Sequence, residues 1–237
     1  MTTTWPTGCC LRTEMPLTAR VRTYVHAHHA TLAQQFDWRL NTLTLLNRLG
    51  VAVAGATSYD KNIDLKVQLA GLWARADLAT RRQIARYYVV DWGGVKRNSE
   101  AKLNGYVDAA VAAVVPPLPG IASWSKVLAA SDPSRHAIFD ARVSLALNVL
   151  QLGASNGTQV LFPALPGQNT GISTAGKRLQ AQALAAGWRR LQGAEVYSTY
   201  IEVLQVASQG LPGPLPLATA EMVLFAHAPQ LAAQVPP

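Results

Sequence analysis

Apolar residues recur along this chain at intervals of three and four, a spacing that predicts helices almost throughout. Over residues 18–49, Val21, Tyr24, Val25, Leu32, Phe36, Leu40, Leu43 and Leu46 fall near a 3.6-residue period, with a break expected at 37–41. Residues 50–60 are rich in small side chains and read as loop, although 51–53 also suits a short strand. Helical patterns follow at 63–73 and 78–90, then at 99–114, where Pro116, Pro117 and Pro119 must stop the helix. Another covers 122–130, and Asp132-Pro133-Ser134 turns the chain into a helix starting near Asp140. Residues 153–171 form the longest irregular stretch, and loops of that length are usually functional or mobile. Helices resume at 175–188, at 194–207 and, after a Pro/Gly linker at 209–216, at 217–227. No alternation persists long enough for a sheet, so the expected fold class is all-α. The expected organisation is a loose segment 1–17 and a single domain 18–237, with a helix-hairpin-helix at about 99–131.

Composition narrows the possible partners. Lysine and arginine number 21 against 13 aspartate and glutamate, and a formal charge of +8 suits a polyanion. Nucleic acid is the first expectation and an anionic membrane surface the second. No apolar run reaches the roughly 20 residues of a membrane span, so a soluble, cytoplasmic protein is predicted. Cys9 and Cys10 are adjacent and cannot build a metal cage, and neither a metal nor another cofactor is expected. His28 and His29 point about 100° apart on a helix, so with His26 they read as solvated face residues.

Residues 118–143 carry the clearest chemistry. Leu118-Pro119-Gly120-Ile121 is a turn between two helices, and a glycine before a helix N-terminus lets backbone N–H groups approach a phosphate. That would place a nucleic-acid backbone beside Lys126. A lysine is a nucleophile only when neutral, which requires a desolvated site or a basic neighbour, and Asp140 is placed to take its proton and keep it neutral. The competing reading makes both residues solvated surface charges. Against it, Asp140 lies between Ala137-Ile138-Phe139 and the mostly apolar run 143–147, where an unpaired carboxylate is costly. Upstream, Gly93-Gly94 precede Lys96, Arg97 and Asn98. Asn98 or Ser99 reads equally as a helix cap or, with Lys96, Arg97 and Lys102, as part of a nucleic-acid contact.

The hairpin LPGIASWSKV followed by AIFDARV resembles the helix-hairpin-helix DNA glycosylases, in which a Gly/Pro-rich hairpin and a downstream Asp frame the active site. A lysine shortly after the hairpin is similar to the bifunctional, 8-oxoguanine DNA glycosylase type. Ala220-Glu221-Met222-Val223-Leu224-Phe225 resembles that type's base-pocket helix, where a Gln reads the base edge and a Phe four residues later stacks on the base. Arg97-Asn98 and Lys102 resemble the family residues that fill the gap left by the flipped nucleotide and contact the orphaned base. The likeness spans about 85–227.

This sequence departs from the family pattern at several positions. Ala122 and Ser123 open out the family's Gly-x-Gly-x-Lys turn, Arg142 replaces a His two residues after the Asp, and Ala130 stands where a Cys lies against the base. Glu221 replaces the pocket Gln. A carboxylate accepts hydrogen bonds from guanine N1–H and the exocyclic amine, whereas adenine offers no such pair of donors.

The resemblance implies two helical lobes around a cleft, double-stranded DNA as partner, and a glycosylase/lyase of base excision repair acting through a Schiff base. Lys126 and Asp140 would be catalytic, and Glu221, Phe225 and Ala130 would line the base pocket. Lys96, Arg97, Asn98, Lys102, Gly120, Ser123 and Arg142 would meet DNA. The alternatives are a glycosylase-fold hydrolase of a modified nucleobase or nucleotide in bacterial antiphage defence, and a DNA-binding helix-hairpin-helix module without chemistry.

Overall fold

The computed structural model describes residues 15–154 and 159–237; Cys9, Cys10 and residues 1–14 of the loose segment lie outside it. Among the described residues the chain is mostly helical, and no helix is long and apolar enough to cross a membrane. The first helical region divides as its pattern predicts. Helix α1 (Leu17–His28) passes through a 3-10 turn into α2 (Leu32–Gln35), and α3 (Thr42–Leu49) starts after the break, where the Asn41 side chain accepts from Thr44 N–H. Residues 51–53 are coil rather than strand.

Helix α4 (Ser58–Arg75) opens with a capping box in which Thr57 and Asp60 each bond the other's backbone N–H. It buries Ile63, Leu65, Lys66, Leu69 and Trp73 along one stripe. Helix α5 (Leu78–Arg86) widens into a π-helical turn, Tyr87–Trp92, a form often found at functional sites.

Helix α6 (Glu100–Val111) is capped by Ser99 and ends three residues before its predicted limit. Its stop is set by Ala113, at φ 53°, with Val114 N–H reaching back to Ala109 C=O. A left-handed residue closes the helix before the prolines are reached. Helix α7 (Ile121–Ser131) follows from Gly120, whose φ of 85° favours glycine.

Asp140 caps α8 (Ala141–Val149), accepting from Arg142 N–H at 2.9 Å and Val143 N–H at 3.1 Å. The irregular stretch contains β1 (Val160–Leu161), paired in parallel with β2 (Arg189–Arg190), a two-residue ladder that periodicity cannot register. Helices α9 (Thr170–Ala185) and α10 (Glu195–Ser208) lead to α11 (Pro216–Ala232). Pro216 at the first helical position suits its missing N–H. Helix α11 runs five residues past its predicted end, through Pro229, because nearly every side chain over 217–228 is buried.

Two packed sets share one hydrophobic core. In the first, α7 packs on α4, α5, α6 and the π turn; in the second, α11 packs on α8, α9, α10 and α1. The predicted functional side chains come from both sets.

Candidate active site

Lys126 lies on α7 with 5% of its surface exposed, and its Nζ donates to Ala122 C=O at 2.6 Å. Its aliphatic stem runs under Gly93, just after the π turn. A Cβ at residue 93 would come 2.7 Å from Lys126 Cε and 2.8 Å from Val89 C=O. The glycine is therefore required for close approach of backbone to the lysine, a reason distinct from the loop flexibility its sequence suggests.

Burial holds the Lys126 amine below the ordinary lysine range. The Asp140 and Glu221 charges oppose this by raising it, and the Lys66 charge adds to the lowering. The expectation that Asp140 keeps the lysine neutral is thus corrected in sign, because a carboxylate favours the cationic amine and removal from water disfavours it. Asp140 remains within electrostatic reach of Lys126 and Glu221 while capping α8.

Glu221, 3% exposed, is neither a surface residue nor a lone reader of a base edge. Its Oε2 accepts from Lys66 Nζ at 3.1 Å in a buried ion pair. Burial pushes the Glu221 carboxyl up, against the pull of Lys66. Burial alone would push the Lys66 amine down, but the charge and hydrogen bond of Glu221, with Tyr88, turn the net shift upward. Lys66 Nζ lies 6.0 Å from the ring centroids of both Tyr88 and Trp92. Buried Asn62 ties this wall together: its amide donates to Trp38 C=O and accepts from Trp92 Nε1–H, while Trp38 Nε1–H donates to Trp92 C=O.

One turn along α11, Phe225 is half-buried and meets Trp38 edge-on at 5.5 Å, while the Arg142 guanidinium lies 4.5 Å from its centroid. Arg142 therefore covers a face of the ring predicted to stack on a base. A cavity of about 260 Å³ opens here, lined by Gln35, Asp37, Trp38, Arg142, Phe225 and Gln230 among others. Ala130 is fully buried in the core, away from the lining, and Glu221 and Lys126 lie behind the lining rather than in it.

The predicted DNA-contacting residues divide. Lys96, Arg97 and Lys102 are exposed. Asn98 instead donates to the Oγ of buried Ser123 at 2.9 Å, fastening the loop before α6 to the first turn of α7. This bond makes structural residues of two predicted phosphate or nucleotide contacts. At Gly120 a side chain would strike the Tyr106 hydroxyl, so the hairpin needs glycine for packing as well as for φ.

The histidines are not a solvated face. His28 lies 4.5 Å from the ring of His227, Tyr24 Oη bonds His227 Nδ1 at 3.0 Å, and His26 Nε2 is buried without a partner. His227 of α11 covers His28 and Tyr24, a contact that helical spacing alone does not reveal. Among the described residues, no cluster of His, Cys, Asp or Glu is arranged to hold a metal.

Sequence reasoning missed Lys66, Tyr88 and Asn62. A signal existed for Lys66, which sits three residues after Ile63 and three before Leu69, in the middle of an apolar stripe. Compared with models of protein families, with curated proteins and with solved structures, the chain matches none.

Proposed function

We propose that the protein is a DNA glycosylase with an associated lyase step, removing an oxidised or otherwise modified guanine-type base from duplex DNA. The observation that carries this reading is a lysine only 5% exposed, Lys126 on α7 packed against Gly93, with Asp140 capping α8 and Glu221 buried on α11 one turn from Phe225 of the cavity. A phosphate-gripping module has no need of a buried, depressed lysine.

Exposed Lys96, Arg97 and Lys102 attract the DNA backbone. The target nucleotide is flipped out of the stack at a cost offset by those contacts. Arg142 leaves the Phe225 face for a phosphate, and the base takes its place on the ring. Neutral Lys126 then attacks the deoxyribose C1′. The glycosidic C–N bond breaks, and its electron pair departs with the base, which takes up a proton. The attached nitrogen loses a proton, the C1′–O4′ bond opens with O4′ protonated, and a protonated Schiff base results. Loss of a C2′ proton expels the 3′ phosphate and nicks the strand. Asp140 stabilises the positive charge that develops on the sugar as the first bond breaks.

The direct test is release of free base from a duplex carrying 8-oxoguanine. Release is expected from the duplex and not from the free nucleoside, and it falls about 100-fold in Asp140→Asn, which preserves the helix cap because Asn caps as well as Asp. Absence of release from any guanine-type lesion, or unchanged release by Asp140→Asn, contradicts the assignment.

A further inference from the structure

We infer that Lys66 is a specificity-determining residue, which with Glu221 forms a donor–acceptor pair that reads the Watson–Crick edge of a guanine-type base. This rests on the glycosylase reading above and assigns a residue that the chain's motifs leave out.

Three observations carry it. First, Glu221 and Phe225 are four residues apart and share a face of α11, so a base stacked on the phenyl ring directs its edge along that face toward the carboxylate. Second, the carboxylate does not stand alone. Lys66 Nζ is 3.1 Å from Glu221 Oε2, and a guanine edge offers an acceptor, O6, next to the donors N1–H and N2–H. An ammonium beside a carboxylate is the complement of that order, with Lys66 donating to O6 and Glu221 accepting from N1–H and N2–H. Adenine presents a donor where Lys66 needs an acceptor and an acceptor where Glu221 needs a donor. Third, Lys66 and Tyr88 have hydrogen-bonding capacity beyond the contact of Lys66 with Glu221. Lys66 carries three N–H donors; one goes to Glu221, a second is directed at the Tyr88 hydroxyl, and the rings of Tyr88 and Trp92 lie at 6.0 Å. Tyr88 Oη, fully buried and close enough to feel the Lys66 charge, makes no hydrogen bond of acceptable geometry. Buried polar groups are normally satisfied, so a spare donor of Lys66 beside a poorly bonded hydroxyl suits a polar ligand edge.

The reading differs from that of a purely structural ion pair in one measurable respect, coupling between Lys66 and the O6/N1–H end of the base edge. Three duplexes are compared, carrying 8-oxoguanine, 8-oxo-2-aminopurine, which lacks O6 and with it the N1 proton, and 8-oxohypoxanthine, which lacks the exocyclic amine. The unaltered protein releases 8-oxoguanine at least about tenfold faster than the analogue without O6, since a site built to hydrogen-bond a group rejects its absence. In Lys66→Met that ratio falls at least about tenfold, while the penalty for losing the exocyclic amine stays the same in both proteins. Equal release of 8-oxoguanine and 8-oxo-2-aminopurine by the unaltered protein overturns the Lys66 assignment, whether or not the variant folds. An O6 penalty of the same size in Lys66→Met overturns it too. If the unaltered protein releases none of the three bases, the glycosylase reading itself fails and takes this one with it.

Discussion

Lys66 Nζ and Glu221 Oε2, 155 residues apart in sequence, stand 3.1 Å apart in the interior, with side-chain exposures of 3% and 4%. Two charges out of water at that distance are stable together and costly singly. Lys66→Met should lower the free energy of unfolding by about 3 kcal/mol near neutral pH, measured by urea titration, because it strands a buried carboxylate. The defect has a definite pH dependence. Burial already raises the Glu221 carboxyl, and losing the lysine raises it further, so the folded variant binds a proton more readily than the unfolded chain. Its stability therefore falls as pH rises from the ordinary glutamate value through the raised one, and the defect shrinks in acid. The Lys66 contribution of the unaltered protein is fully present below the ordinary lysine value and is lost only as pH rises through the upward-shifted one.

The amine of Lys126 is held below the usual lysine range by burial, and that direction fixes the pH profile of adduct formation. The rate should rise with pH as the amine becomes neutral and level off below 10.5. In Asp140→Asn a charge that raises the lysine is removed, so the rise moves to lower pH while the plateau drops about 100-fold through loss of charge stabilisation. Over the same window the unaltered fold gains stability with pH, because the unfolded chain holds the lysine proton more tightly than the folded one. Stopped reactions across a pH series check the first point and urea titrations the second.

Gly93 is placed against Lys126 Cε and the Val89 carbonyl, with no room for a methyl group. Gly93→Ala is expected to cost about 1–3 kcal/mol of stability through overpacking. It should also slow adduct formation about 10- to 100-fold by displacing the amine. A variant that loses stability but reacts at the original rate would show that the π turn does not position the lysine.

The reasons for what was and was not legible in the chain are local. Helical period placed α7 to within a residue at each end and located α1 and α4, although α4 starts five residues earlier, at its Thr57 cap, and the break expected at 37–41 lies just before α3. Lys126 stood out by its place after the Pro-Gly hairpin, and Asp140 because a carboxylate sat among apolar neighbours. The end of α6 was misplaced because a left-handed alanine, Ala113, stops the helix ahead of the prolines. The two-residue strands at Val160 and Arg189 are too short to have a period. Pairings made only by tertiary packing were hidden altogether: Lys66 with Glu221, Asn98 with Ser123, and Arg142 over Phe225. So was the sign of Asp140's effect on Lys126, since the depth of burial that outweighs it is set by α7, α4 and the π turn together.

The central claim is that Lys126 forms a covalent bond with the sugar of a damaged nucleotide. It is tested most directly by reducing a mixture of the protein and an 8-oxoguanine duplex with borohydride and mapping any cross-link by mass spectrometry. The account predicts a stable protein–DNA adduct on the peptide containing Lys126, absent in a folded Lys126→Gln. An adduct that maps elsewhere, or one that Lys126→Gln forms equally well, would contradict it.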